Sequence, residues 1–439
     1  MSPHLLDHWQ NTVRQAPDAL AVVDGTTGRR WSRAGLAEAA EQWSNTHGTG
    51  TPLAGRRVLV AEPNGAPWFH VFLGLLRLGA IPIPADSTEP AATLEAQART
   101  LRAAAFWHGG KLHPLPGSTR QRRADLCLFK LTSGSTGTPK ALPFTHAQML
   151  ADGRQICASM DIRPDDLNLA VIPLGHSYGL GNLVVPLLAQ GTALVCVASP
   201  LPQALAADIA RWQPTVFPAV PTLLRALVRS EIEPALLASL RVVISAGAVL
   251  PAEIATAFNE RFDRRVHGFY GASETGGITY DRTGDATLAG SGVGAPLVGV
   301  TLHFRRGQRF TVESPAVGGD GRFSPADRAE LDASGSLVLL GRAGRTVKIA
   351  GRRLDLAEVE NALLRLPGVR AACVLPHPHR PDALAAAVAS DRGGAELRTE
   401  LQARLAPWKV PARILAQPDL PVTERGKTDR KAVAKLLAG

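Results

Sequence analysis

Short apolar runs with β-strand character alternate with segments of helical periodicity through the first half of the chain. Strand-like runs occupy residues 56–62, 167–174, 192–199, 214–220 and 241–247, and helical spacing of apolar residues occurs at 66–80, 202–212 and 221–230. Strand, helix and strand follow one another at short spacing, which is typical of βαβ units around a parallel sheet. We therefore predict an α/β fold with mostly parallel sheets flanked by helices.

The second half of the chain changes character twice. Residues 281–325 are rich in Gly, Thr and short apolar pairs, which predicts a β-rich subdomain. After 336–353, an amphipathic helix is predicted over 354–369, followed by short strands and a second helix, so the end of the chain resembles a separate α+β domain of about a hundred residues. The predicted domains are 1–341 and 342–439.

Composition narrows the possible partners. The net charge is +10, but the cations are scattered among 38 acidic residues rather than gathered in a block, so small polyanions or an acidic protein partner fit better than nucleic acid. A generally basic proteome would explain the charge equally simply. The four cysteines contain no CxxC, which disfavours zinc and a disulfide framework.

No membrane or export signal is evident in the sequence. The N-terminus has the pattern of an amphipathic helix rather than a signal peptide. The longest apolar region, 179–199, is interrupted by Asn182, Pro186, Gln190 and Gly191, so a buried helix, a turn and a strand are predicted instead of a membrane span. We expect a cytoplasmic protein without an integral membrane segment.

The stretch LTSGSTGTPKALPFTH at 131–146 concentrates the residues that bind phosphate. Gly lets backbone N–H groups approach closely, hydroxyls donate hydrogen bonds and Lys supplies a charge. It is not a P-loop, because Pro139 precedes Lys140 and Ala141 stands where the metal-binding hydroxyl belongs. A flexible linker is the alternative, but the strand-like run at 125–131 leading into the stretch disfavours it.

Four further stretches accompany this loop in order: GFYGASETGG (268–277), FSPADRAELDASG (323–335), GRAGRTVKIAGRR (341–353) and LPVTERGKTDRKAV (421–434). Together the five resemble the adenylate-forming superfamily of acyl-CoA synthetases, peptide-synthetase adenylation domains and luciferases. The resemblance implies a large N-terminal AMP-binding domain and a small, mobile C-terminal lid domain with a hinge near 342–348. It also implies that a carboxylate and ATP give acyl-AMP and pyrophosphate.

The resemblance implies a role for each matching residue. The polyphosphate would contact Thr132, Ser133, Gly134, Ser135, Thr136, Gly137 and Lys140; Mg²⁺ would be bound by Glu274 and Thr136; and Lys427 would bridge the carboxylate and the α-phosphate. Tyr270 would pack against adenine, Asp327 would accept both ribose hydroxyls, and Arg342 would bind ribose or phosphate near the hinge. Lys348 would lie at the hinge and Gly351 beside a pantetheine arm. The other implied nucleotide-binding residues are Ala246, Gly247, Ala248, Phe269, Gly271 and Ser273. Plainer alternatives remain open, namely a core aromatic for Tyr270 and solvated charges for Glu274 and Lys427.

The acyl pocket is predicted around PLGHSYGLGN (173–182), and the residues implied are His176, Ser177, Tyr178, Gly179, Gly268 and Gly276. His176 would gate the carboxylate, unless it is a satisfied core histidine. Amino-acid-activating members place an Asp after this position, where this chain has Ser177. A buried ammonium without a carboxylate partner is costly, so an α-amino acid substrate is disfavoured.

The chain also departs from the family pattern. Ala141 replaces the usual Gly, Pro325 and Ala326 precede Asp327 where Thr-Gly is usual, and Gly344 replaces a hinge Asp.

The expected function is ATP-dependent activation of a carboxylic acid to acyl-AMP, then transfer to CoA. The alternatives are transfer to the phosphopantetheine of an acidic acyl carrier protein and a non-catalytic binding relative; nothing in the sequence selects a luciferase-like oxygenase.

Overall fold

The computed structural model describes residues 4–49, 52–118, 120–121, 123–132, 140–197, 199–248, 250–305, 308–342, 346–421 and 428–439. The α-helices are α1 (Leu5–Gln15), α2 (Arg33–His47), α3 (Ala66–Arg77), α4 (Ala91–Thr100), α5 (His146–Met160), α6 (Ser177–Gly179), α7 (Val185–Gln190), α8 (Pro202–Trp212), α9 (Pro221–Arg229), α10 (Ala252–Phe262), α11 (Asp285–Ala289), α12 (Leu356–Leu364), α13 (Gly394–Gln402) and α14 (Arg430–Ala438).

The strands follow in the same chain order: β1 (Leu20–Asp24), β2 (Arg30–Ser32), β3 (Arg57–Ala61), β4 (Ile81–Pro84), β5 (Ala105–His108), β6 (Lys111–Pro114), β7 (Leu126–Thr132), β8 (Lys140–Thr145), β9 (Leu167–Ala170), β10 (Ala193–Cys196), β11 (Val216–Ala219), β12 (Val242–Ser245), β13 (Val266–Ala272), β14 (Gly276–Tyr280), β15 (Ala295–Pro296), β16 (Thr301–Arg305), β17 (Arg309–Glu313), β18 (Arg322–Phe323), β19 (Asp327–Leu331), β20 (Leu337–Arg342), β21 (Thr346–Ile349), β22 (Arg352–Asp355), β23 (Val369–Pro376), β24 (Leu384–Ser390) and β25 (Arg413–Gln417).

The chain forms two compact units. The first comprises Met1–Ser87, Ala98–Lys130 and Ala141–Ala343, and the second comprises Thr88–Gln97, Leu131–Lys140 and Gly344–Gly439. The division into domains 1–341 and 342–439 with a hinge near 342–348 stays a prediction, because residues 343–345 lie outside the described part of the chain.

The first unit is organised around a nine-stranded sheet in the order β15-β14-β13-β12-β11-β9-β10-β1-β2. Its six central strands, β13 to β1 in that order, pair in parallel, and the pairs at both edges are antiparallel. This unit also contains a smaller sheet, β4-β3-β5-β6, the short sheets β16-β17-β18 and β19-β20, and most of the two-stranded sheet β7-β8. The predicted α/β fold with mostly parallel sheets and a β-rich subdomain is thereby confirmed.

Both faces of the parallel strands are buried, and this explains why they are apolar throughout. Leu194 packs in the cluster beneath α1, α3 and α7, whereas the next residue, Val195, packs in the cluster with α8, α9 and α10. Successive side chains point to opposite faces of a strand, so a sheet covered by helices on both sides needs continuous apolar runs.

The region 179–199 contains the helix, turn and strand that its sequence predicts, with one irregularity. Leu180–Val184 is a π-helical turn in which Val185 N–H bonds to Leu180 O. Pro186 has no N–H with which to bond the carbonyl four residues earlier, which favours this widened turn immediately before it. In the described part of the chain, no helix is long and apolar enough to cross a membrane.

The second unit contains an antiparallel pair, β21-β22, and the sheet β23-β24-β25, against which α12 and α13 bury their apolar residues. Every residue of β24 is buried. The helix predicted over 354–369 is shorter than expected, because Arg352–Asp355 form β22 and the helix ends at Leu364. Pairing with β21 therefore overrides helical periodicity at its start.

Candidate functional site

The candidate site lies at the carboxyl ends of the parallel strands. The segments that leave β9, β11, β12 and β13 at these ends contain the predicted pocket at 173–182, Val220, the sequence Ala246-Gly247-Ala248, and the turn with Glu274. Ligands of open α/β sheets bind outside this edge of the strands. The fold of the first unit therefore brings several separate sequence motifs to one edge.

Strand β13 and the turn that follows it carry several of the predicted nucleotide-binding residues and one predicted metal ligand. Gly268, Phe269, Tyr270 and Gly271 lie on β13, Ser273 and Glu274 lie in the turn, and Gly276 begins β14. Gly271 has no room for a side chain, since an added Cβ would lie 2.6 Å from the carbonyl oxygen of Gly276.

Tyr270 and Asp327 are hydrogen-bonded to each other although 57 residues separate them. The Tyr270 hydroxyl donates to Asp327 Oδ2 at 2.9 Å, and the tyrosine ring is buried. Asp327 is half-buried at the start of β19, where its register partner on β20 is Arg342. The predicted adenine-binding aromatic and the predicted ribose-binding carboxylate are thus direct neighbours.

The backbone leading to His176 is fixed by Asn64. The Asn64 amide group donates to Ala170 O and Ile172 O and accepts from Leu174 N–H. His176 then caps α6, where its Nδ1 accepts from Tyr178 N–H at 3.3 Å. An accepting Nδ1 leaves the hydrogen of a neutral imidazole on Nε2, so this nitrogen can donate to a carboxylate.

Gly179, the last residue of α6, has no room for a side chain. A Cβ on Gly179 would lie 2.1 Å from the carbonyl oxygen of Pro173. Glycine lets Tyr178 turn inward, where its ring lies 5.8 Å from that of Phe269 and its hydroxyl donates to Ala219 O at 3.4 Å. Burial raises the pKa of Tyr178 well above its usual value, so the phenol stays protonated.

Two glycines predicted to line the pocket are held by neighbouring side chains. Gly268 N–H donates to Thr287 Oγ1, and that hydroxyl donates to Asp281 Oδ2, both at 2.8 Å. Gly276 has φ +72°, and a Cβ there would lie 2.2 Å from Asp152 Oδ1. On the β12 side, Ala246 N–H donates to Ala219 O at 3.1 Å, and Gly247 has φ +90°.

A buried ion pair lies behind the turn, and sequence reasoning missed it. Lys130 Nζ is 3.8 Å from Asp152 Oδ2, and both side chains are almost fully buried. Asp152 Oδ1 accepts from Gly277 N–H at 2.9 Å. The sequence contains one indication of it: Lys130 lies inside the apolar run of β7, and lysines are almost never fully buried unless they are paired.

The remaining predicted residues are distributed as follows. Thr132 ends β7, Lys140 is exposed at the start of β8, and these two strands pair in a short sheet. Lys348 is half-buried on β21. Ser133, Gly134, Ser135, Thr136, Gly137 and Lys427 lie outside the described residues, as does the side chain of Arg342.

Gly351 has a local structural role. It follows Ala350 in the two-residue connection between β21 and β22, and φ is +47° at Ala350 and +77° at Gly351. Two-residue hairpins with positive φ at both central positions favour glycine. Turn geometry alone therefore accounts for this glycine, and the contact with a pantetheine arm stays a prediction.

The donor set suits a magnesium nucleotide. Within the described ranges, no three His, Cys, Asp or Glu side chains form a group that could hold a metal ion. Mg²⁺ with a nucleotide usually takes only one or two protein carboxylates, together with phosphate oxygens and water. The half-buried carboxylate of Glu274 is an oxygen donor of the required type, and its role as a metal ligand stays a prediction. A nucleotide-binding enzyme of the open α/β sheet type is the class that this fold and site define.

Comparison with known proteins gives the family. The AMP-binding enzyme family matches this chain over residues 9–114 and 108–306. The family described as AMP-binding enzyme C-terminal domain matches it over residues 358–427. The chain belongs to this family and is an ATP-dependent, AMP-forming ligase. The resemblance inferred from the five sequence motifs is confirmed.

Curated relatives agree with this assignment, and a solved structure agrees with the fold. The chain is 30% identical over 335 residues to a feruloyl-CoA synthase of Amycolatopsis sp, covering 69% of this chain and 68% of that protein. It is 27% identical over 429 residues to an L-proline–[L-prolyl-carrier protein] ligase of Streptomyces coelicolor, covering 87% and 80%. The structure of o-succinylbenzoate CoA synthetase from Bacillus subtilis matches with a TM-score of 0.81 at 19% identity, covering 98% of each chain, and supports the fold.

Proposed function

We propose that the protein activates a carboxylic acid without an α-ammonium group, forming acyl-AMP and pyrophosphate, and then transfers the acyl group to CoA. The observation that carries the substrate class is the position after His176. Ser177 stands there, at the start of α6, where an ammonium would need a carboxylate. A neutral hydroxyl replaces only part of the hydration that a buried ammonium loses.

The buried carboxylate beside the pocket glycines offers no substitute. Asp152 lies against Gly276 and close to Gly181, but its charge is paired with Lys130 and its Oδ1 accepts from Gly277 N–H. A substrate ammonium would have to displace the ammonium of Lys130, which is part of the protein chain, from the Asp152 carboxylate. An apolar or aryl acid has no such requirement, and the rings of Tyr178 and Phe269 provide apolar surface for it.

In this proposal His176 Nε2 donates to the substrate carboxylate and Gly179 lets the backbone pass closely. Tyr270 packs against adenine while Asp327 accepts from the ribose hydroxyls. Glu274 binds Mg²⁺, which when bound neutralises charge on the phosphates. The family resemblance adds the polyphosphate contacts at 132–140 and the carboxylate-to-phosphate bridge by Lys427.

The identity of the acceptor thiol is less constrained than the class of the acid substrate. Similarity to a feruloyl-CoA synthase supports CoA as the thiol. The phosphopantetheine of an acidic acyl carrier protein is the alternative, supported by the longer alignment with a prolyl-carrier ligase and by the net charge of +10. A cytoplasmic location stays a sequence-based prediction.

One experiment addresses both halves. Pyrophosphate release is measured with ATP and Mg²⁺ across aryl, short-chain and long-chain acids and the matching amino acids, and thioester formation is then followed with CoA and with a carrier protein. We expect an aryl or aliphatic acid to be used and CoA to be acylated. Acylation of the carrier protein alone would assign the alternative acceptor, and preference for an amino acid would refute the proposed substrate class.

A further inference from the structure

Lys130 and Asp152 form a deeply buried ion pair in the first unit. Both side chains are at most 3% exposed, and Lys130 Nζ lies 4.1 Å from the ring centroid of Phe144. Among the described residues, neither Lys130 Nζ nor Asp152 Oδ2 has a hydrogen-bond partner. The attraction between two buried charges often fails to offset the free energy lost when both leave water, so stability alone does not explain this pair.

Asp152 acts directly on the backbone of the turn that carries Glu274. Its Oδ1 accepts from Gly277 N–H at 2.9 Å, three residues after Glu274. The approach is so close that a Cβ on Gly276 would lie 2.2 Å from this oxygen. Any shift of the Asp152 carboxylate is therefore transmitted to the end of this turn.

Lys130 connects the same carboxylate to the strand that enters the predicted polyphosphate segment. It lies on β7, two residues before Thr132. Burial lowers the pKa of Lys130, and the carboxylates of Asp152 and Glu274 oppose that shift, so the ammonium and the turn attract each other. The pair thus links the start of one candidate phosphate-binding segment to the candidate metal ligand.

We propose that Lys130 and Asp152 are a positioning pair for the magnesium nucleotide. Asp152 fixes the Gly276–Gly277 backbone and, through it, the turn with Glu274, and Lys130 fixes the orientation of Asp152. Neither residue touches the reacting atoms. This inference rests on the proposed function of Glu274 as a metal ligand.

The test separates the hydrogen bond from the charge. Lys130→Met with Asp152→Asn removes both charges and keeps an acceptor for Gly277 N–H, whereas Lys130→Met with Asp152→Leu removes the acceptor as well. If the leucine variant does not fold, Lys130→Met with Asp152→Ser, whose shorter side chain withdraws the acceptor, replaces it. The readout is the dissociation constant for ATP with Mg²⁺ by titration calorimetry, which needs no turnover.

Asp166→Asn is the matched control. Asp166 is also a buried carboxylate in an ion pair, with Arg241 at 2.5 Å, but it precedes β9 and so lies at the amino ends of the parallel strands, away from the site. Loss of that pair should lower stability without changing nucleotide affinity. The Asp166→Asn variant therefore measures how far loss of an ion pair away from the site changes ATP affinity.

We expect the leucine or serine variant to weaken ATP binding about tenfold or more, the size usual for residues that orient a metal ligand, and the asparagine variant to stay within about threefold. The KM for the acid should change by less than about threefold in all of them. Unchanged ATP affinity in the variant without the acceptor, or equal losses in both double variants, would overturn the positioning role. If the wild-type protein itself binds no ATP with Mg²⁺, the proposed function fails and this inference fails with it.

Discussion

Replacement of Tyr270 by Phe tests the nucleotide site most sharply, because it removes one oxygen atom and keeps the buried ring. The lost interaction is the 2.9 Å hydrogen bond from the hydroxyl to Asp327 Oδ2. Hydrogen bonds to charged groups contribute about 1.5–3 kcal/mol. Asp327 is only half-buried, so a water molecule can replace part of the lost hydrogen bond. We therefore expect the free energy that orients the Asp327 carboxylate to fall by about 1–1.5 kcal/mol.

The expected consequence is an increase of about five- to tenfold in the KM for ATP, since about 1.4 kcal/mol corresponds to a factor of ten. The KM for the acid should hardly change, because the bond is made on the predicted ribose side. Initial rates of pyrophosphate release at saturating acid give both constants.

Tyr280→Phe is the matched control for this variant. Tyr280 is equally buried and lies on β14 in the same sheet, but it has no predicted role in binding the nucleotide. A KM for ATP within twofold of wild type for Tyr270→Phe, or an equal effect of Tyr280→Phe, would refute the assignment of Tyr270 and Asp327 to adenosine.

Three other variants test separate parts of the account. Glu274→Gln should raise the Mg²⁺ concentration for half-maximal pyrophosphate release by about tenfold or more, because an amide is a poorer ligand for a hard cation; an unchanged Mg²⁺ dependence would exclude the metal role. Gly179→Ala should lower the free energy of unfolding by about 1–3 kcal/mol in urea titrations, since its Cβ would lie 2.1 Å from Pro173 O. Gly393→Ala, whose Cβ meets nothing within 4 Å, serves as its control, and equal urea midpoints for the two variants would contradict the steric argument. Burial by itself lowers the pKa of Lys409, but Glu358 and Glu89 raise it above its ordinary value. The resulting stabilisation is present below the unfolded pKa of about 10.4 and is lost as the pH rises through the higher folded pKa. Thermal unfolding should therefore show a steeper alkaline decline for wild type than for Lys409→Met, and parallel declines would argue against the ion cluster.

Much of the fold follows from the sequence because the signals are local. The apolar runs that became β10, β11 and β12 are continuous because helices cover both faces of the sheet. The helices over 202–212 and 221–229 begin with proline at the first helical position, where its missing N–H costs nothing. The ends of some elements differ from the prediction, as at 354–355, where pairing with β21 decides the conformation.

The contacts within the site are a different matter, because they depend on which strands become neighbours. The family resemblance predicts that Tyr270 and Asp327 belong to one nucleotide site, but only the folded chain brings the two side chains together. The same holds for Lys130 and Asp152, which lie on a strand and a helix and meet through their packing. A lysine in an apolar strand predicts some partner, but not which carboxylate it will be.

In the proposed reaction the protein joins a carboxylate oxygen of the acid to the α-phosphate of ATP. The most direct measurement uses an acid labelled with the heavy oxygen isotope in its carboxylate, with ATP, Mg²⁺ and CoA, and determines the label in the products by mass spectrometry. We expect AMP that carries one labelled oxygen, unlabelled pyrophosphate and an acyl-CoA thioester, because the bond between the acyl carbon and the bridging oxygen breaks in the second step. Unlabelled AMP, or formation of ADP and phosphate, would contradict it.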